Sequence, residues 1–242
     1  MTFLKPIRIT DGLYQVRAIG ARVTVLVDKD AVLLVDAGSL GSAGLIARGL
    51  GALGLSPSHV ERVVVTHAHP DHCGGLSGLI KGRAIAVAAH TLDADFIDGT
   101  ATPPSPVQNI ILGRLTHPIY NALMGRPVPV ADRLEDGDLV DFGLEVRVVH
   151  LPGHTDGSIA LYVPAKRAVI VGDTLQYRFA RKLGPPARWV TRRPELAIRS
   201  LEKLLNLDFD VICFSHFPPL REEPHEAIRR LIDQHSLRPS PT

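Results

Sequence analysis

A mixed α/β fold is predicted from three observations. Short β-branched runs crowd the first 35 residues, later strands alternate with helices of apolar periodicity, and polar turn signals divide them. The composition agrees: of 242 residues, 45% are apolar and 21% charged, a globular balance that excludes whole-chain disorder. A chain of this length is expected to form one domain over residues 1–242. It should bury roughly 70–75% of its unfolded surface without disulfide staples.

Residues 7–9, 14–18, 23–28 and 31–35 read as strands, with Asp11-Gly12 and Asp28-Lys29-Asp30 as turn formers. Leu45, Ile46, Leu50 and Leu53 recur at helical spacing and predict a helix over 42–54. Residues 62–66 are a short β-branched run, expected as a buried strand. A helix starts within 72–80, a strand follows at 84–88 and a short helix at 91–97. Residues 99–132 contain Pro103, Pro104, Pro106, Pro118, Pro127 and Pro129 between apolar residues, and read as an insertion of loop or short helix. Strands resume at 145–150, 158–163 and 168–171, and a second insertion is expected over 176–193. A helix at 194–206, opened by Pro194, leads to a strand at 211–214 and a last helix at 222–235.

Several function classes are disfavoured at once. Two cysteines far apart, Cys73 and Cys213, exclude a disulfide framework and fit a reducing, cytoplasmic compartment. Twenty-seven basic residues against 25 acidic ones leave a net charge of +2, which argues against a nucleic-acid partner. No run of 18 apolar residues predicts a membrane span, and the N-terminal segment lacks the apolar core of an export signal. A small-molecule substrate is the expected partner, and homo-oligomerisation is left open.

The informative residues are histidines. His67-Ala68-His69-Pro70-Asp71-His72 follows the apolar run 62–66 directly and places four metal-ligand side chains in six residues. His67 and His69 can face one ion while Asp71 and His72 turn toward a second, a nitrogen and oxygen set that zinc accepts. His154, Asp173 and His216 each stand where an apolar strand gives way to a loop. A charged Asp173 at such a place needs a cation or hydrogen-bond donors. Together the candidates are five histidines and two aspartates, enough for two ions. Asp36, after another apolar strand, is expected to orient a ligand histidine rather than only form a turn. Cys73 reads as a small buried residue. His59, His90, His117, His150, His225 and His235 have no motif context and read as surface or core.

These motifs, in this order and over most of the chain, resemble the metallo-β-lactamase superfamily. Asp36-Ala37-Gly38 is similar to its early Asp-x-Gly element, and the His-x-His-x-Asp-His motif is complete. The resemblance implies a four-layer αβ/βα sandwich, two mixed β-sheets face to face with helices outside. It also implies His67, His69 and His154 on one metal, Asp71, His72 and His216 on the other, and Asp173 bridging both. Two divalent ions follow, zinc first, with manganese, iron or cobalt as alternatives. One departure is Ser215-His216-Phe217, where the family usually has Gly-His-Gly. The bridging Asp is shared with the glyoxalase II and lactonase-like hydrolases, whereas β-lactam-hydrolysing members usually lack it.

The metals dictate the expected chemistry. A bridging hydroxide would attack a small ester, thioester or lactone, and no serine or cysteine nucleophile is needed. Asp71 would take or return the proton. Tyr120 or Tyr177 could donate to an oxyanion, the alternative being that both only pack. Residues 176–193 hold Arg178, Arg181, Lys182, Arg188, Arg192 and Arg193 without an acid. They are either a solvated loop or a recognition element for an anionic substrate, with Arg178 and Arg181 as candidate contacts. Two readings compete: a phosphodiesterase, nuclease or β-lactamase-like hydrolase on the same metals, and a non-catalytic metal- or partner-binding protein.

Overall fold

The computed structural model describes residues 5–105, 107, 110–178 and 182–236. Four antiparallel strands open it: β1 (Ile7–Thr10), β2 (Leu13–Arg17), β3 (Arg22–Asp28) and β4 (Ala31–Val35). The sheet then turns parallel. Helix α1 (Ala43–Gly51) crosses to β5 (Val60–Val65), α2 (Pro70–Cys73) and α3 (Leu76–Ile80) to β6 (Ala86–His90), and α4 (Thr91–Asp98) and α5 (Ile110–Leu123) to β7 (Asp132–Leu134). The seven strands lie in sequence order. A second sheet is built from β8 (Arg147–His150), β9 (Ile159–Val163) and β10 (Ala168–Ile170), all antiparallel. The hairpin β11 (Gln176–Arg178) and β12 (Lys182–Gly184) follows, then α6 (Pro194–Ser200) and a 3-10 turn (Leu201–Asn206). Strand β13 (Val211–Cys213) pairs parallel with β10, and α7 (Pro224–Ser236) ends the described chain.

Period-two alternation sorts the side chains into layers. In β4, Val32 and Leu34 face the outer helices with Ile46, Leu50, Leu76 and Leu79, while Leu33 and Val35 face the other sheet. In β9, Ile159, Leu161 and Val163 face the first sheet, while Ala160 and Tyr162 join the outer core with Leu201, Leu204, Ile228 and Leu231. The result is the four-layer αβ/βα sandwich implied by the sequence resemblance. Each central strand is buried on both faces, which explains the near-continuous apolar runs.

This arrangement brings the carboxyl ends of the parallel strands to one edge, where crevices form in sheets of this kind. Asp36 follows β4 and His67 follows β5. In the second sheet Asp173 follows β10 and His216 follows β13. Ile159 N–H donates to Thr66 O at 2.9 Å and joins the two sheets there. Backbones close up at the same edge: a Cβ on Gly75 would lie 2.1 Å from Ala37 O.

Both insertions are more regular than expected. Residues 99–132 contain a 14-residue helix, α5, and their last residue opens β7 of the main sheet. Pro118 removes one backbone donor inside α5, and the helix is held from its inner side instead, where His117 Nε2 donates to Pro103 O at 2.8 Å. Residues 176–193 carry the β11–β12 hairpin and a short 3-10 turn (Arg188–Val190). Among the described residues no helix is long and apolar enough to cross a membrane.

His90 closes β6 and caps α4, its Nδ1 accepting from Leu92 N–H at 3.2 Å. Its buried ring stacks on His150 at 3.9 Å. Burial, then the neighbouring His150, push its pKa down to about 4.

Two outcomes are expected. Gly75→Ala forces Ala37 and the turn after β4 away from the α2–α3 link, at a cost of about 1–3 kcal/mol. Thermal unfolding should fall by roughly 2–4 °C per kcal/mol; an unchanged melting temperature would contradict the close approach. The second concerns acid. The unfolded His90 takes its proton near pH ~6.5, the folded one only near 4. The stability tied to its neutral form is complete above the higher value and is lost as pH falls toward the lower. His90→Asn keeps a capping side chain, so urea unfolding should depend less steeply on pH across that window than in the wild type. Parallel pH profiles would refute this.

Candidate metal centre

Strand ends place the candidate residues, and a short helix turns the motif into a cup. His69 is the N-cap of α2 with Pro70 at its first position, so Asp71 and His72 project from the first turn. His154 sits in the turn between β8 and β9, pinned by Arg192 N–H to His154 O at 3.2 Å and by Arg193 N–H to Gly153 O at 2.9 Å.

Seven side chains converge. His67 Nε2 and His154 Nε2 each lie 3.1 Å from His69 Nδ1. His216 Nε2 lies 3.3 Å from Asp71 Oδ2 and 3.1 Å from Asp173 Oδ1. Asp173 stands between the halves: its Oδ1 is 3.5 Å from His72 Nε2, its Oδ2 3.9 Å from His154 Nε2. In the sets His67–His69–His154 and Asp71–His72–His216 the donor atoms lie within 4.8 Å of one another, so each set could hold an ion.

The rear nitrogens are anchored on oxygen. His67 Nδ1 meets Thr66 Oγ1 at 3.1 Å, His154 Nδ1 meets Thr191 Oγ1 at 3.2 Å, and His72 Nδ1 meets Asp36 Oδ2 at 2.7 Å. With their rear N–H groups donated outward, His67 and His154 turn front lone pairs inward. His69 Nδ1 can give at most one proton to its two neighbours. Buried His72 Nε2 has no hydrogen-bond partner among the described residues. Buried lone pairs facing one another are costly without a shared cation, so the donor set fits metal.

The titration tendencies agree. Burial, followed by repulsion from neighbouring rings, holds His67 well below the ordinary imidazole value. Burial first, then His154, puts His69 at about 3. Burial puts His154 at about 4. All three rings are therefore neutral at physiological pH, the form in which an imidazole can hold a metal. Burial also opposes charge on His72 and His216, but Asp36, Asp71 and Asp173 outweigh it at His72, and Asp173 and Asp71 outweigh it at His216, which reaches about 9.

Asp36 is buried and has φ 69°, a left-handed backbone tolerated by aspartate better than by branched residues. Its carboxylate accepts from Thr66 N–H at 2.8 Å, from the Thr66 hydroxyl at 3.0 Å and from Ser215 Oγ at 3.3 Å, besides His72. Ser215, in the Ser-His-Phe departure, thus has a partner, and Phe217 turns edge-on to Phe214 in the outer core.

Tyr120 on α5 also reaches the cup, its hydroxyl donating to Ala68 O at 3.3 Å and its ring lying edge-on to His69. Tyr177 does not: it stacks on Phe214, ring centroids 5.8 Å apart, against the outer core of the second sheet. Arg178 belongs to β11, opposite Lys182, and Arg181 lies outside the described residues. Arg192 and Arg193 both pair with Asp156, and Arg188 pairs with Glu195. The end of the basic segment therefore buttresses the His154 loop. Cys73 is buried, its thiol donating to His69 O, and burial pushes its pKa up.

Sequence reasoning missed two residues. Thr191 sits behind His154, and Asp93, 1% exposed on α4, accepts from Ala68 N–H, the Thr155 hydroxyl and Gly157 N–H. The one available signal for Asp93 was an acid just past a buried strand, the pattern that marked Asp36 and Asp173.

Comparison with known proteins identifies the family and agrees with the fold. Residues 17–216 match the family described as the metallo-beta-lactamase superfamily. A probable metallo-hydrolase of Bacillus subtilis, YflN, is 26% identical over 203 residues, covering 78% of this chain and 76% of that protein. A hydroxyacylglutathione hydrolase of Brucella anthropi is 39% identical over 89 residues, only 36% of this chain and 32% of that one. Among solved structures, the metallo-beta-lactamase family protein TTHA1429 of Thermus thermophilus superposes with a TM-score of 0.72 at 26% identity, covering 95% of this chain and 81% of that one. The chain belongs to the metallo-beta-lactamase superfamily.

Proposed function

We propose that this chain is a dinuclear metal-dependent hydrolase of a small ester, thioester or lactone. The observation that carries the reading is Asp173, whose two carboxylate oxygens face the two ligand sets separately. His67, His69 and His154 would hold one divalent ion, Asp71, His72 and His216 the other, with Asp173 shared. Zinc suits this nitrogen and oxygen set best. When bound, such a pair of cations supplies an ionised water near neutral pH and polarises a carbonyl.

The chain's own residues do the rest. Asp71 has the most accessible carboxylate of the cluster, its side chain 35% exposed, and stands at the mouth to accept a proton from water or return one to the leaving group. The Tyr120 hydroxyl, now on Ala68 O, can swing to an oxyanion beside His69. Phe96, Pro103, Pro104 and Tyr120 line a mainly apolar cleft next to His69, with Arg192 at its side. The cleft measures only about 20 Å³, room for little more than a water, so an acyl group would have to part this apolar lining, and Arg192 beside it is already paired with Asp156. The names of the two relatives, a metallo-hydrolase and a hydroxyacylglutathione hydrolase, fall in the same reaction class.

The test is a panel of esters, thioesters and lactones run beside phosphodiesters, with elemental analysis of the same sample. Two ions per chain and turnover of the carbonyl substrates support the reading. Phosphodiester turnover alone, or one ion per chain, would overturn it. Asp173→Ala should release one ion and weaken the other. Tyr120→Phe should lower kcat roughly 100-fold with little change in KM, as for loss of an oxyanion donor. An equal rise in KM with kcat intact would assign the hydroxyl to ground-state binding instead.

A further inference from the structure

The described residues that accept hydrogen bonds from the ligand loops include two buried carboxylates outside the cluster, and they divide between its halves. Asp36 bonds the His72 ring directly and Ser215, which precedes His216, and it touches the His67 side through Thr66 alone, whose N–H and hydroxyl it both accepts. Asp93 serves the other half. Its Oδ2 accepts from Ala68 N–H at 2.7 Å and from Thr155 Oγ1 at 2.8 Å, and its Oδ1 accepts from Gly157 N–H at 2.9 Å. Ala68 lies between His67 and His69; Thr155 and Gly157 follow His154. None of these three bonds falls on α2 or on residues 213–216.

We propose that Asp93 is the positioning residue of the three-histidine metal position alone, as Asp36 is chiefly that of the His72–His216 position. The inference rests on the dinuclear reading above. The physical basis is the distance between the parts being held. The motif loop leaves the first sheet and the His154 turn leaves the second, so nothing in local sequence fixes their separation. One carboxylate accepting from both does. It can do so only because Gly157 has no side chain: a Cβ there would lie 2.6 Å from Asp93 Cγ. A buried carboxylate with three donors has little freedom to move, so the three imidazoles are set before an ion arrives.

Asparagine fills the same space but replaces one acceptor oxygen by an N–H₂ group. Facing Ala68 and Thr155, that group repels the Ala68 N–H and frees the motif loop; facing Gly157 N–H, it removes one of the two bonds that hold the His154 turn. Asp93→Asn should therefore weaken one ion by roughly 10- to 100-fold, the usual scale for a partner behind a ligand, and leave the other within about threefold of wild type.

The test loads wild type, D93N and D36N with zinc and titrates each against a chromophoric chelator. X-ray absorption on the singly loaded variants then counts imidazoles per ion. D93N should keep an ion with two imidazoles, from His72 and His216; D36N should keep one with three, from His67, His69 and His154. Loss of overall stability would weaken both ions alike, so an equal loss in D93N, or retention of the three-imidazole ion, overturns the inference. If D93N does not fold, Thr155→Val removes one donor to Asp93 and should shift the same ion in the same direction. A wild type holding a single ion would overturn the dinuclear reading and this inference with it. Two ions in wild type with equal loss in D93N overturn this inference alone.

Discussion

The Asp36 carboxylate is the constraint on which the rest of the centre depends. It is 1% exposed and cannot remain charged there without donors. Its donors come from the end of β5, from α2 and from the segment after β13, so satisfying one charge fixes three chain segments that are remote in sequence. The backbone accepts a left-handed conformation at Asp36 to aim the side chain. Such local strain persists where surrounding contacts over-determine it. The first sheet supports the same place from behind: the Gln15 side chain donates to Phe214 O at 2.8 Å, and Arg22 N–H to Ser215 O at 2.7 Å.

From this anchor the centre separates into two electrostatic environments. The His67, His69 and His154 side is made of neutral imidazoles crowded out of water. The His72 and His216 side is surrounded by carboxylates. A proton or a metal ion satisfies the second environment, but facing lone pairs in the first are satisfied only by a cation they all share. Asp173 faces both, and in the dinuclear reading proposed above it would couple two ions into one functional unit.

The layers and the residues of the candidate cluster were legible in the sequence for physical reasons. Strands β3, β4 and β9 announce themselves because burial on both faces needs apolar residues at nearly every position. The candidate cluster was legible by density, four His and Asp side chains in six residues after β5 with three more at strand ends; a single His in such a place can merely cap a helix, as His90 does. What escaped was contact across the chain. Thr191 and Asp93 have ordinary local surroundings, and only folding brings them to the His154 loop. Helix α5 was obscured by Pro118 and by neighbouring prolines, since proline lowers helix propensity whether or not tertiary contacts rescue it. The basic run 176–193 suggested anion recognition, yet Arg192 and Arg193 are engaged by Asp156 from a different segment, a pairing that composition does not reveal. Tyr177 lies close to Asp173 in sequence, but the hairpin turns it toward Phe214.

The central claim is that one carboxylate serves two metal positions. Anomalous diffraction from zinc-loaded crystals tests it most directly. The account predicts two peaks, one within the His67–His69–His154 set and one within the Asp71–His72–His216 set, with an Asp173 oxygen directed at each. A single peak, or two peaks with Asp173 ligating neither or only one, would contradict it.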